Sequence, residues 1–271
     1  VITSVRNQQV QRARKLAKRG LRDRHREFLV EGAIGVGEAL AAGAKLEALF
    51  VTPGVSNRID ELAKESRRAG APVFEVSEKV MQAISGAVTP PGLIGITQFR
   101  DVEAGLLLGR GVSFGVVLAD VRDPGNLGAI LRTAWAVGAD AVFLGASTAD
   151  VYNQKVVRAS AGALFHLRFA RDVEVPWLLD EMGRVGIRRI AADPSGPVAY
   201  DEADASPPCA FVFCNEAWGA SEEVIRRVDA VASIPMRGSA DSLNVALAAA
   251  VFLFEAQRRR KAAGATPPRS E

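Results

Sequence analysis

The sequence predicts an α/β protein in two parts: a smaller α/β layer over residues 1–98, a linker over 99–111, and a parallel sheet covered by helices over 112–262. Two observations predict it. From Phe28 onward, short apolar runs alternate with helix-like segments closed by glycine, the pattern of strands joined by crossover helices. In the second part, the apolar runs before Cys214 and Pro235 each end in a polar, small-residue loop followed by a helix-like segment, which is how a strand end presents backbone groups to a ligand.

In order, Ser4 to Gly20 carries Val5, Val10, Ala13, Leu16 and Ala17 at helical spacing with basic residues between them. A short buried strand or turn at Phe28–Gly32 and strands at Leu46–Val51, Pro72–Val76 and Leu93–Gln98 follow, separated by helices at Ile34–Ala42, Ser56–Ala69 and Glu78–Ser85. The linker contains Asp101, Glu103, Gly105, Gly109 and Gly111. Beyond it, strands are expected at Val112–Asp120, Ala141–Leu144, Leu167–Ala170, Ile187–Ala192, Phe211–Cys214 and Ala230–Ile234. The helices between them are Leu127–Val137, Asn153–Ala163, Pro176–Val185 and Ser221–Val228, and a last helix starts at Asn244. Residues 263–271 lack apolar periodicity and are expected to fray.

A chain of 271 residues can bury a substantial core, and 48% hydrophobic with 24% charged content is ordinary for a globular protein. The longest apolar run, Val245 to Phe254, is ten residues, whereas a bilayer span needs about 20. No leader pattern is seen either, so a cytoplasmic protein without a membrane partner is expected. Cys209 and Cys214, with His25 and His166, make no zinc set, and no metal is expected. Net charge is +3, but residues 1–30 hold nine Arg or Lys against Asp23 and Glu27, a local +7 that leaves about −4 for the rest. Such a cluster attracts polyanions by counterion release, and it serves equally as the solvated face of a helix. Candidate polyanion contacts are Arg6, Arg12, Arg14, Lys15 and Arg22, with Lys155 and Arg158 on the helix after Asn153.

Three segments carry the candidate chemistry: Asp123-Pro-Gly-Asn-Leu-Gly-Ala-Ile-Leu-Arg132, Phe213-Cys-Asn-Glu-Ala-Trp-Gly-Ala-Ser221, and Ile234-Pro-Met-Arg-Gly-Ser-Ala-Asp-Ser-Leu-Asn-Val-Ala246. Ser242 or Asn244 is suited to cap the last helix and need do no more than that. Arg132 suits a phosphate, whose oxygens match its fork, and suits equally an ion pair with Asp120 or Asp123. Neither a G-x-G-x-x-G fingerprint nor a phosphate loop occurs, which counts against a nicotinamide-dependent Rossmann enzyme.

In order and spacing, these segments and Asn153-Gln-Lys-Val-Val-Arg-Ala-Ser-Ala-Gly-Ala163 resemble the motifs of the SpoU (TrmH-type) branch of the SPOUT RNA methyltransferases, over about residues 112–260. The Phe28-Leu-Val-Glu-Gly32 to Glu38-Ala-Leu40 pattern resembles the ribosomal L30e fold that such enzymes often carry to hold RNA. The resemblance implies a deep trefoil knot around residues 211–260, where physics alone gives an unknotted Rossmann-like sheet. It implies S-adenosylmethionine bound in the knot's loops, a homodimer with the site near its interface, and 2′-O-methylation of RNA ribose. Ribosomal RNA is the expected substrate, and antibiotic resistance one family role. A transfer RNA substrate and a noncatalytic RNA-binding protein are the alternatives.

By matched position, Asn126, Arg132, Glu216, Ser242 and Asn244 are the catalytic residues. Cys214, Asn215, Gly219, Ile234, Met236 and Leu243 are the cofactor contacts. A guanidinium with pKa above about 12 is a poor base, so Arg132 is expected to hold the phosphate and stabilise the alkoxide. Cys214 and Ala217 stand where many relatives carry glycine; a Cβ at positive φ there costs about 1–2 kcal/mol. The apolar face Leu247, Val251 and Phe254 is either core or the dimer interface.

Overall fold

The computed structural model describes residues 1–215, 218–237 and 242–262. The chain divides into two compact units: Val1–Arg100 with Asp150–Phe165, and Asp101–Ala149 with the described residues from His166 onward.

In the first unit the order is α1 (Gln8–Lys15), α2 (Arg19–His25), β1 (Glu27–Glu31), α3 (Gly32–Ala41), β2 (Leu46–Val51), α4 (Asn57–Arg68), β3 (Val73–Glu75), α5 (Glu78–Ile84) and β4 (Leu93–Gln98). The four strands form one sheet in the order β1-β4-β2-β3. β4 runs antiparallel to both its neighbours, and β2 and β3 are parallel. Ser56 and Ser77 cap α4 and α5 through their hydroxyls. Val10, Ala13 and Leu16 pack with Leu29, Phe50, Ile94 and Ile96 in the core.

The helix expected over Ser4 to Gly20 is broken in two. Lys18 is extended, with φ −92° and ψ 125°. The Arg22 guanidinium donates to the Leu16 and Ala17 carbonyls at 2.7 and 2.8 Å, satisfying oxygens that a longer helix would have used itself. Arg22 also pairs with Asp150 and is 4% exposed, so the expectation that it contacts RNA is corrected: it closes α1.

In the second unit come α6 (Ala104–Gly109), β5 (Phe114–Leu118), α7 (Pro124–Ala136) and β6 (Ala141–Gly145). α8 (Gln154–Ala159) belongs to the first unit; β7 (Phe169–Val173), α9 (Val175–Arg184), β8 (Arg188–Ala192), β9 (Val198–Ala199), β10 (Cys209–Phe213), α10 (Glu222–Ile225), β11 (Ala230–Ser233) and α11 (Val245–Ala262) complete the second. Its seven strands are ordered β7-β6-β5-β10-β8-β11-β9, and every pairing is parallel. On β10, Ala210 and Val212 join the core that contains Phe143, Leu178 and Leu179, while Phe211 and Phe213 meet Phe252 of α11. The alternation follows from the two-residue period of a strand buried on both faces.

The stretch expected to be a bare linker contains α6. Its Leu107 is buried in the same core as Val117 and Phe143, which is reason enough for it to order. Residues 150–165 were expected in the methyltransferase domain, and they pack instead in the first unit. Tyr152 is fully buried there, its ring 4.7 Å from that of Phe28 and 3.8 Å from that of Phe99, and its hydroxyl accepts a hydrogen bond from the Arg100 N–H at 2.7 Å.

Candidate active site

The sheet order sets the site. β5 leads to β6 and β7 on one side, while the later strands β10, β8 and β11 lie on the other. That order lays the carboxyl ends of β10, β8 and β11 side by side, and open α/β sheets bind ligands outside such ends. The loops leaving them enclose a cavity of about 420 Å³ lined by residues 192–195, 213–215, 218–220, 232–234 and 242–243, with Ile225, Met236 and the α11 residues Val245, Ala248 and Phe252. That volume falls within the roughly 300–1,000 Å³ of small-molecule sites.

Every expected cofactor contact lines this cavity: Cys214, Asn215, Gly219, Ile234, Met236 and Leu243. Ser242, expected in catalysis, lines it too. Gly219 has φ +64°, and a Cβ there would sit 2.5 Å from the Asp193 carboxylate, so only glycine fits. Asn215 pairs with Gly219 across the loop and donates through Nδ2 to Asp120 Oδ2 at 3.2 Å. Cys214 does not have positive φ, so its Cβ carries no left-handed strain. Burial pushes its thiol up to about 12, with Asp193 and Asp120 adding to the shift, so it lines the wall as a neutral group.

Asn244 reconciles its alternative readings. Its Oδ1 accepts from the Ala246 N–H at 2.9 Å, capping α11, and its Nδ2 donates to Asn126 Oδ1 at 3.0 Å, joining the first motif to the third. Asn126 is held in the first turn of α7 because Asp123 caps that helix, accepting from the Asn126 N–H at 2.8 Å, with Pro124 at its first position.

Arg132 lies two turns further along α7 and is exposed. The ion pairs conceivable for it are taken: Arg122 holds both Asp120 oxygens, at 2.8 and 3.0 Å, and Asp123 is the helix cap. Among the described residues no carboxylate pairs with Arg132, which leaves its fork available. Glu216 and Ala217 lie outside the described residues.

Sequence reasoning missed Asp193, Ser195, Trp218, Ile225 and Phe252, all of which line the cavity. The signal for the first two was present: β8 is an apolar run ending in Asp193-Pro194-Ser195-Gly196, a polar, small-residue loop like the others. Burial raises the Asp193 carboxyl, but bonds from the Ser195 hydroxyl and the Ala220 and Ser195 N–H groups outweigh it and hold the pKa below the ordinary value.

Of the candidate RNA contacts, Arg6, Arg14, Lys15 and Lys155 are exposed. Arg12 is bound to Glu27, and Arg158 is paired with Glu31 at 3.2 Å, so both are partly spent within the fold. Arg14, Lys15 and Lys18 line a groove of about 530 Å³ with Gly86 and Gln154. Among the described residues, no group of three or more His, Cys, Asp or Glu is placed to hold a metal ion, and no helix is long and apolar enough to cross a membrane.

A parallel sheet with a mixed polar and apolar cavity at its carboxyl edge, walled by the second and third motif loops and the turn after β8, is the frame of an α/β enzyme that binds a small-molecule cofactor. Residues 113–254 match the SpoU rRNA Methylase family, and residues 7–95 match the MRM3-like substrate binding domain. The chain belongs to the SpoU rRNA methylase family, and it is an S-adenosylmethionine-dependent RNA 2′-O-methyltransferase. Among its relatives is the 23S rRNA (guanosine(2553)-2'-O)-methyltransferase RlmP of Bacillus subtilis, 32% identical over 93% of this chain and 97% of that protein. The AdoMet-bound rRNA methyltransferase from Sinorhizobium meliloti is 34% identical, with a TM-score of 0.83 over 95% of this chain and 97% of that one. AviRb from Streptomyces viridochromogenes, solved with AdoMet, is 30% identical with a TM-score of 0.82 over 94% and 100%.

Proposed function

We propose that this protein methylates one ribose 2′-hydroxyl of 23S ribosomal RNA, with the cavity between residues 193 and 252 holding S-adenosylmethionine. The observation that carries the proposal is the convergence of Cys214, Asn215, Gly219, Ile234, Met236 and Leu243 on one cavity, beside the Asn126 to Asn244 hydrogen bond. The cofactor supplies a methyl group already activated on a sulfonium. What the chain must add is alignment of the hydroxyl and stabilisation of the charge that forms on it.

Arg132 has the chemistry for the second task. Its fork is exposed, pairs with no carboxylate among the described residues, suits the phosphate of the target nucleotide and remains charged as the alkoxide develops. Asn126 and Asn244 hold the starts of α7 and α11 in register, and Ser242 beside them faces the ribose. The first unit supplies RNA affinity, chiefly through Arg6, Arg14, Lys15 and Lys155, which are exposed cations in one compact unit.

A homodimer and a trefoil crossing of the chain around residues 211–260 complete the reading, in a cytoplasmic protein. Leu247 and Phe254 are 59% and 49% exposed on α11, which favours an interface over core for that face. The test is transfer of labelled methyl to total RNA from cells lacking the protein, followed by mapping of alkali-resistant riboses. A single resistant site in 23S rRNA is expected. Transfer confined to transfer RNA, or none at all with a folded protein, contradicts the proposal.

A further inference from the structure

The turn after β8 belongs to none of the motif segments, yet it is fastened to both cofactor loops. Asp193 Oδ1 accepts from the Ser195 N–H at 2.9 Å and from the Ser195 hydroxyl at 2.6 Å, and Asp193 Oδ2 accepts from the Ala220 N–H at 2.8 Å. Gly219 rests directly on this carboxylate, which is 9% exposed. On the other side, the Asp193 N–H donates to the Ala232 carbonyl at 2.9 Å, and the Ser233 hydroxyl donates to the Gly196 carbonyl at 2.8 Å. Gly196 lies so close to β11 that a Cβ would come within 2.7 Å of the Ala232 carbonyl carbon, a backbone atom with nowhere to go.

We propose that Asp193 is a positioning residue for the cofactor: its carboxylate ties the Trp218-Gly219-Ala220 wall to the turn after β8, and Gly196 with Ser233 ties that turn to the base of the loop that starts at Ile234. One turn thereby sets the width of the cavity. The proposal rests on the assignment of the cavity to S-adenosylmethionine. Asp193 accepts one Ala220 hydrogen bond that no neutral small side chain replaces, and bonds to a charged acceptor are the stronger class. Asparagine is no substitute, because it sets an N–H donor against either the Ala220 or the Ser195 N–H.

The experiment compares Asp193→Ala, Ser195→Ala and Ala248→Trp with the unmodified full chain, using S-adenosylmethionine and S-adenosylhomocysteine as probes in calorimetry and ribosomal RNA in steady-state kinetics. Asp193→Ala is expected to weaken both probes about tenfold and to raise KM for the methyl donor equally. At saturating donor, kcat should stay within about twofold and KM for RNA should not move. Ser195→Ala loses only the hydroxyl bond, leaves the fold in place, and should weaken both probes about threefold. Unchanged affinities in both variants overturn the proposal. So does a loss confined to S-adenosylmethionine, which marks a charge contact with the sulfonium, or a fall in kcat without a change in KM. Ala248→Trp fills the cavity and should abolish binding of both probes; if binding survives it, the assignment of the cavity has failed, whatever Asp193→Ala does.

Discussion

Asn244 shows how little separates a structural residue from a functional one. From the loop alone, a polar side chain before an apolar helix is a cap, and the side chain does cap α11; the same amide also reaches Asn126. Arg132 is the opposite case: Asp123 is occupied as the cap of its own helix, but nothing in that helix reveals that Arg122 already holds Asp120. Cys214 gives a residue-scale prediction. Its thiol is raised from about 9 to about 12, so the fold favours the protonated form; that contribution is full below pH 9 and is lost as pH rises toward 12. At pH 8 Cys214 should therefore resist iodoacetamide in the folded protein and react on denaturation, as read by mass spectrometry. Rapid alkylation of the native protein would show the burial to be wrong.

At the level of elements, β2 and β4 were read to the residue because apolar runs bounded by turn signals are a local property. The broken N-terminal helix and the return of residues 150–165 to the first unit were not, because they depend on partners distant in sequence: Asp150 for Arg22, Glu31 for Gln154 and Arg158. Glu31 makes the second case testable. Its side chain is 1% exposed and is met by the Ser85 hydroxyl at 2.9 Å, Gln154 Nε2 at 2.8 Å and the Arg158 guanidinium at 3.2 Å. Removing one partner of a fully buried pair costs about 3–5 kcal/mol. Arg158 is 29% exposed, so Arg158→Ala should cost less, about 2 kcal/mol, measured by urea unfolding. A variant as stable as the parent would mean that α8 is not held through Glu31.

For the whole molecule, the succession of strands and helices made the α/β class legible, and the second and third motif segments made the cavity legible from one side. The β8 turn was not, although its composition resembled the other loops, because only the strand order brings it beside them. Nor did charge distribution alone separate exposed cations from spent ones: Arg14 faces solvent and Arg22 is buried, although both stand in one basic run. The central claim is that cofactor binding and methyl transfer are divided between the cavity and Arg132. The most direct measurement sets S-adenosylmethionine affinity beside the single-turnover rate of methyl transfer, in the parent and in Arg132→Ala. The account predicts an unchanged Kd with a rate at least about 100-fold lower, the scale of losing a group that stabilises a developing oxyanion. An Arg132→Ala protein that transfers methyl at the parent rate, or that has lost the cofactor instead, would contradict it.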